Sequence, residues 1–120
     1  MEIDFEAVRA GLEQAIPFNR HLGLEVVAVA DGSGSVRLPD DPRLLNHVGS
    51  QHAGGLFAAA EAASGAAFVG AFAARMGEIT PLAKAARIDY RKLAKGPIVA
   101  TGTLSEAKDD LLARLDADGR

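Results

Sequence analysis

The sequence predicts an α+β domain in which an antiparallel sheet curls around one long, buried central helix. Three observations predict it. The stretch from Ala53 to Ala74, AGGLFAAAEAASGAAFVGAFAA, carries Glu61 as its only charge and shows no strand-like alternation, the mark of a buried helix. LEVVAVA (Leu24–Ala30) and IVATGTL (Ile98–Leu104) are short, β-branched runs of strand type. Asp31-Gly32-Ser33-Gly34 and Lys95-Gly96-Pro97 are turn material, and such short connections join antiparallel strands.

Taken in order, Asp4 caps a first helix running through about Ile16, with Phe5, Val8, Leu12 and Ile16 at helical spacing and Pro17 ending the run. Strands follow at Leu24–Ala30 and around Ser35–Leu38. A loop from Pro39 to Gly49 then carries Asn46 and His47 toward the central helix, about 53–75, which breaks at Gly77. From Thr80 to Leu93 the chain reads as extended, most clearly in ARIDYRKL, where Ile88 and Tyr90 alternate with Arg87, Asp89 and Arg91. Lys95-Gly96-Pro97 turns it into a fourth strand, IVATGTL. Ser105 is the expected cap of a short last helix carrying Leu111, Leu112 and Leu115. No internal repeat, low-complexity tract or linker divides residues 1–120, so one domain is expected.

A net charge of -3 argues against nucleic acid as a partner. The absence of cysteine removes thiol nucleophiles and thiolate metal sites, and three scattered histidines make a poor ligand set, so no metal is expected. The N-terminus, MEIDFEAVRAGLEQA, is acidic and amphipathic, unlike a signal peptide, and a cytoplasmic location is the default. The central run is long enough to span a bilayer. Its Ala and Gly content, central Glu and lack of aromatic anchors favour a core helix instead.

At about 100° per residue, Phe57, Phe68 and Phe72 fall within roughly 40° of Glu61. The carboxylate is thus expected on an apolar stripe facing away from water, where burial raises a carboxyl pKa. The helix opens on Gln51-His52-Ala53-Gly54-Gly55, which puts glycine amides where unpaired N–H groups and the helix dipole favour negative charge.

This order of elements, with His52-Ala53-Gly54-Gly55 opening the helix and Glu61 two turns in, resembles the hotdog-fold acyl-CoA thioesterases, especially the phenylacetate-pathway type and its uncharacterised relatives. In that family an Asn-containing loop leads to a His-Gly-Gly turn, and an Asp or Glu follows on the helix. Asn46, Gly49, His52, Gly54 and Glu61 match in order and spacing, with Ala53 in place of the first Gly. DYRKLAKGPIVATGTL is similar to the family's third-to-fourth strand hairpin. The likeness covers about Pro17 to Leu104. It departs in strand number, four being read here against the family's five or more.

The resemblance implies a hotdog domain, an acyl-CoA substrate, no cofactor, and a homodimer or homotetramer whose site lies between subunits. The amides of Gly54 and Gly55 would polarise a thioester carbonyl and stabilise its oxyanion. Glu61 would activate water or attack directly, and Ser64, three residues on, would hold that water. His52 is either a structural residue donating to a backbone carbonyl or a base, and Asn46 either caps a turn or positions substrate. Arg87, Arg91, Lys92 and Lys95 are candidates for the phosphates of coenzyme A, against the plain alternative of a solvated face. Phe57 and Phe68 are candidates for the acyl tail. A non-catalytic acyl-CoA or lipid-binding module is the first alternative. An enoyl-thioester dehydratase or hydratase is the second, though the Pro-rich loop motif it calls for is missing.

Overall fold

A computed structural model describes residues 2–119 of the chain. Helix α1 (Phe5–Ala15) begins where Asp4 Oδ1 accepts from the Ala7 amide at 3.1 Å. Pro17 ends α1 as expected, but it also opens a second short helix, α2 (Pro17–His21). Proline's fixed φ and missing N–H suit a first helical position.

Strands β1 (Glu25–Ala30) and β2 (Ser33–Leu38) form an antiparallel hairpin across a two-residue turn in which Gly32 takes φ 84°. The second strand starts earlier than its turn-like sequence suggests. Gly34 lies within it because a Cβ there would fall 2.5 Å from the Ala66 Cβ; glycine lets the helix sit directly on the sheet. A bulge at Val27 breaks the β1–β2 register. At that point α1 covers the outer edge of β1, with Arg9 donating to the Val26 carbonyl and Glu13 accepting from the Val26 amide, both at 2.9 Å. Backbone groups satisfied in this way no longer offer an edge for pairing.

The third strand, β3 (Ile98–Thr103), pairs antiparallel with β2 from Ser33↔Thr103 to Leu38↔Ile98, giving the order β1-β2-β3. The strand expected over Thr80–Leu93 does not form among the described residues. Lys95-Gly96-Pro97 does not fold that segment back onto β3, whose inner side is already paired with β2. Without a neighbouring strand to bond, alternation alone holds nothing. Residues 79–97 run without regular structure, leaving Leu82, Tyr90 and Leu93 86%, 51% and 69% exposed. This segment and the open β3 edge fit the radius of gyration, 15.2 Å against about 14 Å for a compact chain of this length.

The central helix α3 (Ala53–Phe72) lies across the sheet and continues as a 3₁₀ turn, Ala73–Glu78. It is buried on one face rather than nearly all round. Ala58, Ala59, Ala63 and Ala66 meet Val26, Val29, Val36 and Leu38 in the core, and Ala67, Gly70, Ala71 and Phe72 further along the helix are buried as well. These small side chains explain the composition of the helix, since they let backbone approach backbone. By length and hydropathy, Ala53–Glu78 would qualify as a bilayer span; in the fold it packs lengthwise on the sheet as the core helix. The last helix, α4 (Lys108–Asp118), follows Ala107 with no side-chain cap, so Ser105 does not play the role expected of it. Arg75 joins α4 to the end of α3 through Asp116 at 3.0 Å and Glu78 at 2.9 Å.

Candidate active site

The loop between β2 and α3 is built by its own side chains. Asp41 caps a 3₁₀ turn, Pro42–Leu44, by accepting from the Arg43 amide at 2.9 Å and pairing with the Arg43 guanidinium at 2.7 Å. The guanidinium and the amide together hold the Asp41 carboxyl below its ordinary pKa. Asn46 is spent on the loop as well. Its Oδ1 accepts from the Val48 and Ser50 amides at 3.1 and 3.0 Å, and its Nδ2 donates to Ser50 Oγ at 2.8 Å. In this chain alone Asn46 shapes the turn and presents nothing to a substrate.

Ser50 and Gln51 are buried polar residues that sequence reasoning passed over. Gln51 Nε2 donates to the carbonyls of Pro39 and Gly96 at 3.0 and 2.9 Å, and the Gln51 amide donates to Ala94 O at 2.7 Å. Its Oε1 is buried without a partner among the described residues. Gln51 thus fastens the end of β2 and the segment before β3 to the start of α3. Nothing in its local pattern signalled this, because its partners are backbone groups up to 45 residues away.

His52 is the N-cap of α3. Its Nδ1 accepts from the Gly54 amide at 2.8 Å, rather than the ring donating to a carbonyl as expected. One of the two amides expected to serve an oxyanion is therefore occupied. The Leu56 amide donates to His52 O at 3.0 Å, while the Gly55 amide has no partner among the described residues. Beside it a pocket of about 290 Å³ opens, lined by Phe18, Leu22, Leu44, Leu45, Gly54 and Gly55, with Arg43 and His52 also bordering it.

Glu61 departs most from expectation. It stands on the exposed face of α3, not in a dry stripe, and nothing among the described residues covers it. The reason is geometric. With the alanine face taken by the sheet, residues 57, 61, 64 and 68 turn to the opposite side, so Phe57 is 37% exposed. Phe68 stacks on Phe72 at a ring-centre distance of 4.7 Å. Ser64 shares this face and donates to its own helix, at Glu61 O, at 2.7 Å. Glu61 and Gly55 are six residues apart on one helix, or about 9 Å at 1.5 Å per residue. One carbonyl cannot contact both within a single chain.

The segment carrying the basic residues passes this helix end. The Tyr90 hydroxyl donates to the Ala53 carbonyl at 2.9 Å, a contact the sequence did not suggest. Arg87 pairs loosely with Asp89 at 3.4 Å. Arg91, Lys92 and Lys95 have no ion-pair partner among the described residues. No cluster of three or more metal-ligating side chains occurs among the described residues.

A sheet laid across a long alanine-rich helix that begins at a glycine turn is the hotdog arrangement found in structures of the thioesterase superfamily. The chain belongs to the family described as a domain of unknown function, DUF4442, whose model matches residues 5–118. It is similar to a Pseudomonas aeruginosa protein of unknown function described as a probable thioesterase. The identity there is 30%, covering 99% of this chain and 78% of that one, with a TM-score of 0.79. A Shewanella oneidensis protein related to the thioesterase superfamily shares the fold at 19% identity, 86% and 76% coverage and a TM-score of 0.69. The PaaI protein of the E. coli phenylacetic acid degradation operon does so at 22% identity, 74% and 65% coverage and a TM-score of 0.61. No curated protein matches the chain.

Proposed function

We propose that this protein is a thioesterase hydrolysing an acyl-CoA thioester, with its working site assembled between two copies of the chain. The observation that carries the reading is the start of α3, where a capped glycine turn leaves the Gly55 amide unpaired beside a pocket. A donor fixed by the helix is already aimed before the reaction starts, the condition for stabilising a developing oxyanion. The 30%-identical Pseudomonas relative, described as a probable thioesterase, supports the same chemistry.

Glu61 is the general base, or the nucleophile, of this proposal. Its exposure and its separation from the Gly55 of its own chain both favour a partner. A second copy lying across the Phe57–Phe68 face covers the carboxylate, removes water from around it, and brings it to the glycine turn of the other subunit. Ser64 then orients the attacking water. Arg87, Arg91, Lys92 and Lys95 receive the phosphates of coenzyme A, on a segment that Tyr90 and Gln51 tie to the helix end. Water adds to the thioester carbonyl, its proton passes to Glu61, and the tetrahedral intermediate expels the coenzyme A thiolate, which takes up the proton.

The uncovered Glu61 also favours a second reading, in which the chain binds acyl-CoA without cleaving it. Coenzyme A release from a panel of acyl-CoA thioesters separates the two. The thioesterase reading expects turnover by the wild type and a loss of at least 100-fold in kcat for Glu61→Gln, with the circular dichroism spectrum kept. Binding with no turnover of any thioester leaves only the binding module.

A further inference from the structure

The proposed reaction needs a place for the acyl tail, and the structure offers one that the helix phenylalanines do not supply. Phe57 and Phe68 lie along the outer face of α3, one to four turns beyond the glycine turn. The pocket bounded by α2 and the Pro42–Leu44 turn, by contrast, has Gly54 and Gly55 in its own lining. A tail attached to a carbonyl at the Gly55 amide has this pocket immediately next to it.

We infer that the pocket formed by Phe18, Leu22, Leu44 and Leu45 holds the acyl tail, that its occupant is compact and uncharged, and that Phe18 sets its length limit. The inference rests on the thioesterase reading for the position of the carbonyl. Three observations carry it. The pocket is open on its outer side, and its volume of about 290 Å³ falls just under the roughly 300–1,000 Å³ of sites for drug-sized ligands, a size that a short or branched acyl group fills. All four named side chains are apolar, so a tail exchanges water for hydrocarbon along its length. The charge at the rim is already balanced: Arg43, the pocket's only cationic side chain, is held by Asp41 through three bonds of 2.7 to 3.2 Å. Asp41 thus neutralises the one guanidinium at the rim, so a carboxylate-bearing acyl group gains little net attraction there.

Phe18 is the residue to move. It is 62% exposed, so it forms the outer wall of the pocket, and its loss opens the cavity without removing a core side chain. Leu22, the C-cap residue of α2, is half-buried and lines the inside.

The test measures binding of two inert thioethers, S-butyl-CoA and S-dodecyl-CoA, by titration calorimetry, alongside hydrolysis of the matching thioesters. Inert ligands report the pocket whether or not the protein is an enzyme. The wild type is expected to bind the butyl compound at least tenfold more tightly than the dodecyl one, and Phe18→Ala to narrow or reverse that ratio by tenfold or more. Leu22→Ala should weaken the butyl compound severalfold. The inference is overturned if Phe18→Ala leaves the ratio within twofold, if the wild type binds neither thioether, or if Phe68→Ala rather than Phe18→Ala shifts the ratio. Selective binding without turnover would keep the pocket and remove the thioesterase reading. Turnover with an unchanged ratio in Phe18→Ala would do the opposite.

Discussion

Replacing Gly102 by alanine tests the packing that places the site. Gly102 lies on β3 with its open side against α3. A Cβ there would fall 2.5 Å from the Ala63 carbonyl oxygen, 2.7 Å from the Ala63 carbonyl carbon and 2.9 Å from the Ser64 amide nitrogen. All three are helix backbone, so no side chain can rotate away. The helix must back off by about 0.5 Å or more, and overpacking of this kind costs about 1–3 kcal/mol. Alanine recovers about 0.5–1 kcal/mol by restricting the unfolded chain. The net expectation is a loss of about 1–2 kcal/mol, or roughly 4–8 °C in Tm for a domain of this size. Gly65→Ala is the matched control. It lies within α3 with nothing inside 4 Å of its added methyl group, and helix propensity should raise stability by about 0.5–1 kcal/mol. Thermal and urea unfolding followed by circular dichroism measure both. Equal stability of Gly102→Ala and wild type, or shifts of the same sign in the two variants, would refute this account of how helix and sheet meet.

Other consequences can be measured with the same protein. His52→Ala removes the cap on α3 and should cost about 1 kcal/mol in chemical denaturation, most of it regained by His52→Asn; retention of turnover by His52→Asn would confirm a capping role and not a catalytic one. Tyr90→Phe removes the bond to Ala53 and should raise KM for acyl-CoA severalfold with little change in kcat. Tyr90 is the only tyrosine and there is no tryptophan, so its fluorescence in the wild type reports ligand binding directly. The pair Arg91→Gln and Lys92→Gln should raise KM for acyl-CoA but not for an acyl-pantetheine thioester, which lacks the nucleotide phosphates.

Much of the fold could be read from the sequence because the signals were local. Asp4 before an amphipathic run, Asp31-Gly32 after the β-branched LEVVAVA, and an alanine-rich segment long enough for a core helix each point to one structure. The segment Thr80–Leu93 misled for a physical reason. Its alternation is that of a strand, but a strand needs a bonded neighbour, and this segment runs past the start of α3 without pairing to the open edge of β3. Glu61 misled in a related way. The wheel grouped it correctly with Phe57 and Phe68, yet which face of α3 meets the sheet is decided by methyl-sized side chains; of the stripe only Phe72, at the end of the helix, is buried, while Phe57 and Glu61 are left exposed. His52 and the glycine turn stood out in the sequence, whereas Gln51 did not, because its work is done through distant carbonyls. Phe18 and Leu22 escaped notice because Pro17 reads as a stop when it is also a start.

The central claim concerns where a reacting carbonyl sits, and one structure tests it most directly: that of the protein with an inert ketone analogue of butyryl-CoA, in which a methylene group replaces the thioester sulfur. The account predicts the ketone oxygen within about 2.7–3.1 Å of the Gly55 amide nitrogen, the distance of an oxyanion donor, with Glu61 of the partner subunit facing the carbonyl carbon. An analogue seated away from the glycine turn, or bound there with Glu61 of both chains still in open solvent, would contradict it.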